Sequence, residues 1–383
     1  MTMRMTFGSL CLGWAIAVSG TSIAAPGNVT PPSADIDAFV RDYGLRESAT
    51  PVSERPGWRK PRAIIVDSGV PGLLEALQAT RPDLRFLGAK SAAEMVQSLN
   101  GGADVIIGRS VLICDDAVLA AAHELRWLHS VYAGVERCTA KSALTERRIL
   151  LTNMRAVAGS VIAEHALAML LALTRHLDVF IARQAAHRWE QDDVTVAAMT
   201  ALHGKTLLVV GLGGIGTEVA KRADAFGMRV IATRATAQAR PSFVQYVGTP
   251  QELPKLLADA DVIVNAAPLT PATRGLFNAE LFSHAKPGAI FINVGRGGTV
   301  VTADLLAALI SHRLAGAGLD VVDPEPLPKD DALWSAPNLI LTPHVAGTAA
   351  GLDAMLLRLA KENLRRYTAG ERMLSEVDVA RGY

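Results

Sequence analysis

From residue 61 onward the chain alternates short apolar runs with longer amphipathic stretches. "AIIVD" (63–67), "ADVIIG" (103–108), "LRWLHSV" (125–131) and "RILLTN" (148–153) have strand length and are rich in β-branched residues, while "GLLEALQAT" and "DDAVLAAAHE" carry helical spacing between them. A second series begins at Lys205 with "KTLLVVG" and "RVIATR". It continues through 260–268, 288–295, 315–322 and 339–344, and helical stretches fit between most of these runs. Continuous apolar strands separated by helices predict parallel sheets covered on both faces. The fold class is therefore α/β, with two doubly wound domains: 60–160 together with 346–383, and 161–345. Residues 160–189 contain no Pro or Gly and predict one long buried helix with Ser160 as its N-cap. A last helical stretch after residue 350 is expected to return to the first domain.

The first 25 residues depart from this pattern. Arg4, the apolar "FGSLCLGWAIAVSG" and the small residues of "TSIAAP" read as a signal peptide or N-terminal anchor, which implies export to the periplasm, with the cytoplasm as the alternative. Residues 26–59 open on a Pro-rich stretch and are expected to form a linker. A formal net charge of +1, with no Lys/Arg block, argues against a nucleic-acid partner. Of the three cysteines, Cys11 falls in the leader. Cys114 and Cys138 lack a metal-ligand spacing, so no metal site is expected. They could pair in an exported protein, but two buried thiols are the favoured reading.

Candidate chemistry begins at "VVGLGGIG". Gly211, Gly213 and Gly216 form G-x-G-x-x-G between a strand and a helix, the arrangement that seats a dinucleotide pyrophosphate on a helix N-terminus, here that of Gly214, Ile215 and Gly216. Arg234 ends the next strand, where an acid would accept hydrogen bonds from the adenosine ribose. An arginine there can fork onto a 2′-phosphate, so NADP(H) is favoured, with NAD(H) as the alternative. Three more apolar runs are followed by polar residues: Arg296 in "INVGRGG", Asp320 and Glu325 in "GLDVVDPEPLP", and His344 in "LTPH". In an open parallel sheet such positions converge on the edge that holds the cofactor. An arginine that grips a carboxylate, a histidine that delivers a proton and a glutamate that orients it are the groups needed to reduce a 2-oxo acid.

On these motifs, in this order, the chain resembles the D-isomer-specific 2-hydroxyacid dehydrogenase family, and most closely its glyoxylate and hydroxypyruvate reductase-like branch, over roughly 60–383. The resemblance implies a flavodoxin-like substrate domain beside a Rossmann NAD(P)-binding domain. It implies catalytic roles for Arg296, Glu325 and His344, and places Asp320 beside the nicotinamide carboxamide. Pro268, Thr273 and Val294 would line the cofactor cleft, and the backbone N–H groups of Ala133 and Gly134 would meet the substrate carboxylate. It also implies a homodimer formed through the interdomain helix. Tyr132 and Glu136 depart from the family's usual substrate loop and imply a shifted preference. The alternative function is a dinucleotide-sensing binding protein that has lost turnover.

Overall fold

The computed structural model describes residues 35–236 and 239–382. The leader-like segment lies outside them.

Among the described residues, twelve strands form two sheets. β1 (Ala63–Asp67), β2 (Arg85–Ala89), β3 (Val105–Gly108), β4 (Trp127–Ser130) and β5 (Leu150–Thr152) pair in the order β2-β1-β3-β4-β5. β6 (Thr206–Val210), β7 (Arg229–Thr233), β8 (Tyr246–Gly248), β9 (Val262–Asn265), β10 (Ala289–Asn293), β11 (Leu314–Leu319) and β12 (Leu339–Leu341) pair in the order β12-β11-β10-β9-β6-β7-β8. Every ladder within these sheets is parallel. The first order is the flavodoxin-like one and the second the doubly wound nucleotide-binding one. The central strands are buried along their whole length, as continuous apolar runs require when helices cover both faces.

Three expectations need correction. The stretch 35–59 is not wholly linker. A helix, Ile36–Asp42, starts there with the Asp35 side chain accepting from the Asp37 N–H, and Phe39, Leu45 and Val52 are buried. Ser48 N–H donates to Met373 O at 2.7 Å, so this arm is tied to the C-terminal segment. Second, 160–189 is not one helix. Helix Gly159–Thr174 ends before His176, which has φ +49°, and Leu177–Ala185 continues at a 74° bend. The first piece lies buried on the second sheet through Ala163, Ala166, Leu167 and Leu170. The second has no buried side chain and leaves Ile181 exposed, in the region where the resemblance puts a dimer contact. Ser160 is not the cap: it sits inside the first turn, where its Oγ accepts from Arg222 Nη2. Third, Cys114 and Cys138 are both buried but form a disulfide, with their Cα atoms 5.1 Å apart. It joins the segments that follow β3 and β4.

Helix Leu352–Ala369 crosses back to the first sheet, where Leu364 and Tyr367 pack with Trp127 and Ile64. The following segment hydrogen-bonds along β5, Val377 N–H to Leu151 O at 2.9 Å, and so covers an edge that would otherwise be unpaired.

His129 is wholly buried on β4. Its Nδ1 lies 2.8 Å from Thr152 Oγ1, which also accepts from Trp127 Nε1. Burial pushes the imidazole down to about 3. The unfolded chain takes up this proton near the ordinary value of 6.5 and the folded one does not, so the associated stability is full above 6.5 and drains as the pH falls toward 3. Between pH 6.5 and 4.5 this one group is expected to cost roughly 2–3 kcal/mol. Urea titrations across that range should show a shallower acid limb for His129→Gln than for the parent. Parallel limbs would remove His129 as the cause.

Candidate active site

The glycine loop leaves β6 beside β9, where the strand order reverses, and this is the crevice in which open α/β sheets hold ligands. Gly211 has φ +95°, and a Cβ there would lie 2.9 Å from Ala267 Cα. A Cβ at Gly216 would collide with the Gly211 carbonyl oxygen and approach Val209 Cγ1 to 2.8 Å. At Gly213 it would meet open space. Only the middle glycine thus faces a void, and the helix Gly214–Ala225 begins directly behind it. Its first-turn N–H groups, those of Gly214, Ile215 and Gly216, have no i−4 carbonyl within the helix. The residues present fit a dinucleotide pyrophosphate.

Arg234 follows β7 and folds back over this loop. Its Nε and Nη2 donate to Leu212 O at 3.0 and 2.8 Å, and its Nη1 to Ala239 O at 3.4 Å. Burial, with the positive charge of Arg46 nearby, pulls its pKa below the usual guanidinium value. Arg240 turns instead to its own loop and donates to Val244 O. On the other side of the crevice Thr273 Oγ1 donates to Pro268 O at 2.6 Å, which fixes the loop after β9, and Val294 is buried at the end of β10.

Arg296, Asp320 with Glu325, and His344 follow β10, β11 and β12, three neighbours in the sheet. His344 Nδ1 lies 2.7 Å from Glu325 Oε2, while Glu325 Oε1 accepts from Val322 N–H at 3.1 Å. One carboxylate oxygen therefore anchors to the backbone and the other fixes the imidazole, which leaves Nε2 as the free end. His344 holds φ +54°, an uncommon region for a residue with a side chain. Buried Asp320 explains how that turn is held. Its Oδ1 accepts from Thr342 Oγ1 at 2.7 Å and from Val345 N–H at 2.9 Å, and its Oδ2 from Ala346 N–H at 3.0 Å. The family resemblance implied only a cofactor contact for Asp320, and its work in shaping the histidine turn comes from the structure.

Arg296 reaches the first domain. Its Nε donates to Glu136 Oε1 at 2.7 Å, its Nη1 to Gly295 O at 2.8 Å, and its Nη2 lies against Gly134. The loop 131–136 is steadied from below, with Asn153 Nδ2 donating to Ala133 O at 2.7 Å. The structure thus brings the loop 131–136 and Arg296 together at the strand ends that also carry His344. It adds a pair that sequence reasoning missed: Arg109, after β3, donates Nε and Nη2 to the wholly buried Asp67 at the end of β1, at 2.6 and 3.0 Å. Asp67 closes "AIIVD" and Arg109 follows "ADVIIG". An ionisable residue ending each apolar run was the signal available.

The sequence pattern of "D-isomer specific 2-hydroxyacid dehydrogenase, NAD binding domain" matches residues 167–346. A glyoxylate reductase of Pyrococcus furiosus is 32% identical over 267 residues, 67% of this chain and 77% of its own. The chain belongs to the D-isomer specific 2-hydroxyacid dehydrogenase family. Another relative, the D-3-phosphoglycerate dehydrogenase of Mycobacterium tuberculosis, is 34% identical over 326 residues, and this chain spans only 60% of its length. A D-isomer specific 2-hydroxyacid dehydrogenase from Xanthobacter autotrophicus, crystallised with NADPH and MES, superposes with a TM-score of 0.71 at 29% identity, covering 85% of this chain and all of its own. The chemistry of this dehydrogenase family is NAD(P)-dependent interconversion of 2-oxo and 2-hydroxy acids, and the two parallel sheets described above are its substrate-binding and NAD(P)-binding domains.

Proposed function

We propose that this protein reduces a small 2-oxo acid of the glyoxylate or hydroxypyruvate type to the D-2-hydroxy acid, reversibly, with NADPH as the favoured cofactor. The observation that carries the reading is the 2.7 Å His344–Glu325 contact, on strand ends adjacent to the one that bears Arg296. Arg296 grips the substrate carboxylate with the part of its fork that Glu136 leaves open, aided by the N–H groups of Ala133 and Gly134. His344 Nε2 delivers a proton to the carbonyl oxygen, and Glu325 balances the imidazolium before transfer. The nicotinamide, when bound, supplies the hydride to the carbonyl carbon. Closure of the two domains excludes water from the cleft.

The preference for NADPH rests on Arg234, whose guanidinium lies against the glycine loop with two carbonyl partners and no carboxylate partner among the described residues. A 2′-phosphate supplies the missing anion. Oxidation of NADPH and NADH is to be followed against a panel of 2-oxo acids, with Arg234→Asp alongside. The expected result is turnover with small 2-oxo acids and a NADPH-to-NADH preference that falls at least about tenfold in the variant, since one charge reversal acts on a dianion at close range. Unchanged discrimination would refute the role of Arg234. Cofactor binding without turnover on any acid would favour the dinucleotide-sensing alternative.

A further inference from the structure

The substrate arginine already has a carboxylate beside it. Glu136 opens the short helix Glu136–Thr139 that follows the substrate loop, and its Oε1 accepts from Arg296 Nε at 2.7 Å. A Cβ built on Gly134 would lie 3.1 Å from Glu136 Oε2 and would collide with Arg296 Nη2. The Glu136 carboxylate therefore stands at the face of the residue whose N–H is assigned to the substrate carboxylate. Neither side chain is fully covered: Arg296 is 28% exposed and Glu136 35%. Arg296 Nη1 has one bond, to Gly295 O, so one Nη1 hydrogen and the Nη2 hydrogens remain for a ligand. Glu136 Oε2, 3.1 Å from where a Gly134 Cβ would lie, is an acceptor on the same side of the loop as those hydrogens. A second guanidinium at a strand end, Arg109, is committed through two nitrogens to buried Asp67. The disulfide fixes the arrangement further, because Cys138 lies in the same short helix as Glu136 and is tied to Cys114.

We propose that Glu136 is the specificity-determining residue of the substrate site: its carboxylate, held beside Arg296, selects 2-oxo acids that carry a hydroxyl on C3 and rejects those that carry a second anionic group there. This rests on the 2-oxo acid reductase reading above and narrows its substrate class. The physical reasons are two. An ionised acceptor aimed at a donor discriminates against an analogue that lacks the donor. With a substrate bound, two carboxylates share one guanidinium and the neighbouring Arg109 is committed to Asp67, so a third anion meets repulsion.

The test is steady-state kcat/KM of the full chain with NADPH for hydroxypyruvate, pyruvate and oxaloacetate, in the parent, Glu136→Gln and Glu136→Asp. In the parent, hydroxypyruvate is expected to exceed both others by about tenfold or more. In Glu136→Gln the oxaloacetate-to-hydroxypyruvate ratio is expected to rise at least about tenfold, because the amide keeps an acceptor and loses the charge. Glu136→Asp keeps the charge, so oxaloacetate should stay disfavoured even if the pairing with Arg296 weakens. Calorimetric binding of D-glycerate and D-malate with NADP+ provides a readout independent of turnover, and the same ratio should move. An equal change for all three acids would mean that Glu136 only positions Arg296, and would overturn the proposal. Turnover of none of them by the parent would remove the reductase reading together with this one, whereas turnover with unaltered ratios removes this one alone.

Discussion

His344→Asn is expected to lower kcat for 2-oxo acid reduction by about two to four orders of magnitude, the usual worth of a positioned general acid. Asparagine can still donate a hydrogen bond from the same turn, but it cannot give up a proton. The backbone should tolerate the change, since asparagine accepts the positive φ that His344 holds. Glu325→Gln keeps the hydrogen-bond geometry to Nδ1 and removes the charge that supports the imidazolium. Its loss is expected to be smaller, about ten- to a hundredfold, by the same reasoning on charge-assisted bonds. The double variant should be little worse than His344→Asn alone, because the two residues act as one unit through their 2.7 Å contact. NADPH affinity, read by fluorescence, should be unchanged in all three. A His344→Asn protein with full kcat would end the acid/base assignment.

Arg296→Lys is expected to reduce kcat/KM about a hundred- to a thousandfold for every 2-oxo acid tested, with both kcat and KM affected. Truncating one partner of a hydrogen-bonded charge pair typically costs 2–5 kcal/mol. Lysine keeps the charge, but it cannot reach Glu136 through one edge and Gly295 O and a substrate through the other, as the guanidinium can. The loss should therefore exceed what charge alone explains. A Lys variant within about threefold of the parent would show that the fork is not the gripping device.

Much of this architecture could be read along the chain, for a physical reason. Buried parallel strands are continuous apolar runs, so "TLLVV", "VIVN" and "AIFIN" announced themselves. The polar residues after such runs had to collect at one edge, because the strands are parallel. β2 escaped because it is an edge strand with only Ala89 buried, and β8 because its three residues, Tyr-Val-Gly with only the glycine buried, form no apolar run. The break at His176 carries no Pro or Gly, and what changes there is burial, since the helix loses contact with the sheet. The Glu136–Arg296 contact joins residues 160 positions apart, and the Cys114–Cys138 bond depends on two loops meeting after neighbouring strands. Both depend on where the backbone goes, and no local pattern records that.

The return of helix Leu352–Ala369 to the first sheet has a consequence for synthesis. The second sheet is built from one uninterrupted stretch of chain, so it can be complete while the ribosome is still translating. The first sheet begins earlier but is missing Leu364, Tyr367 and the strand-like cover on β5 until the segment around residues 364–377 emerges. The lobe encoded first is thus finished after the second, and a message truncated before the codon for Leu364 would yield a cofactor lobe beside an open, unsealed partner.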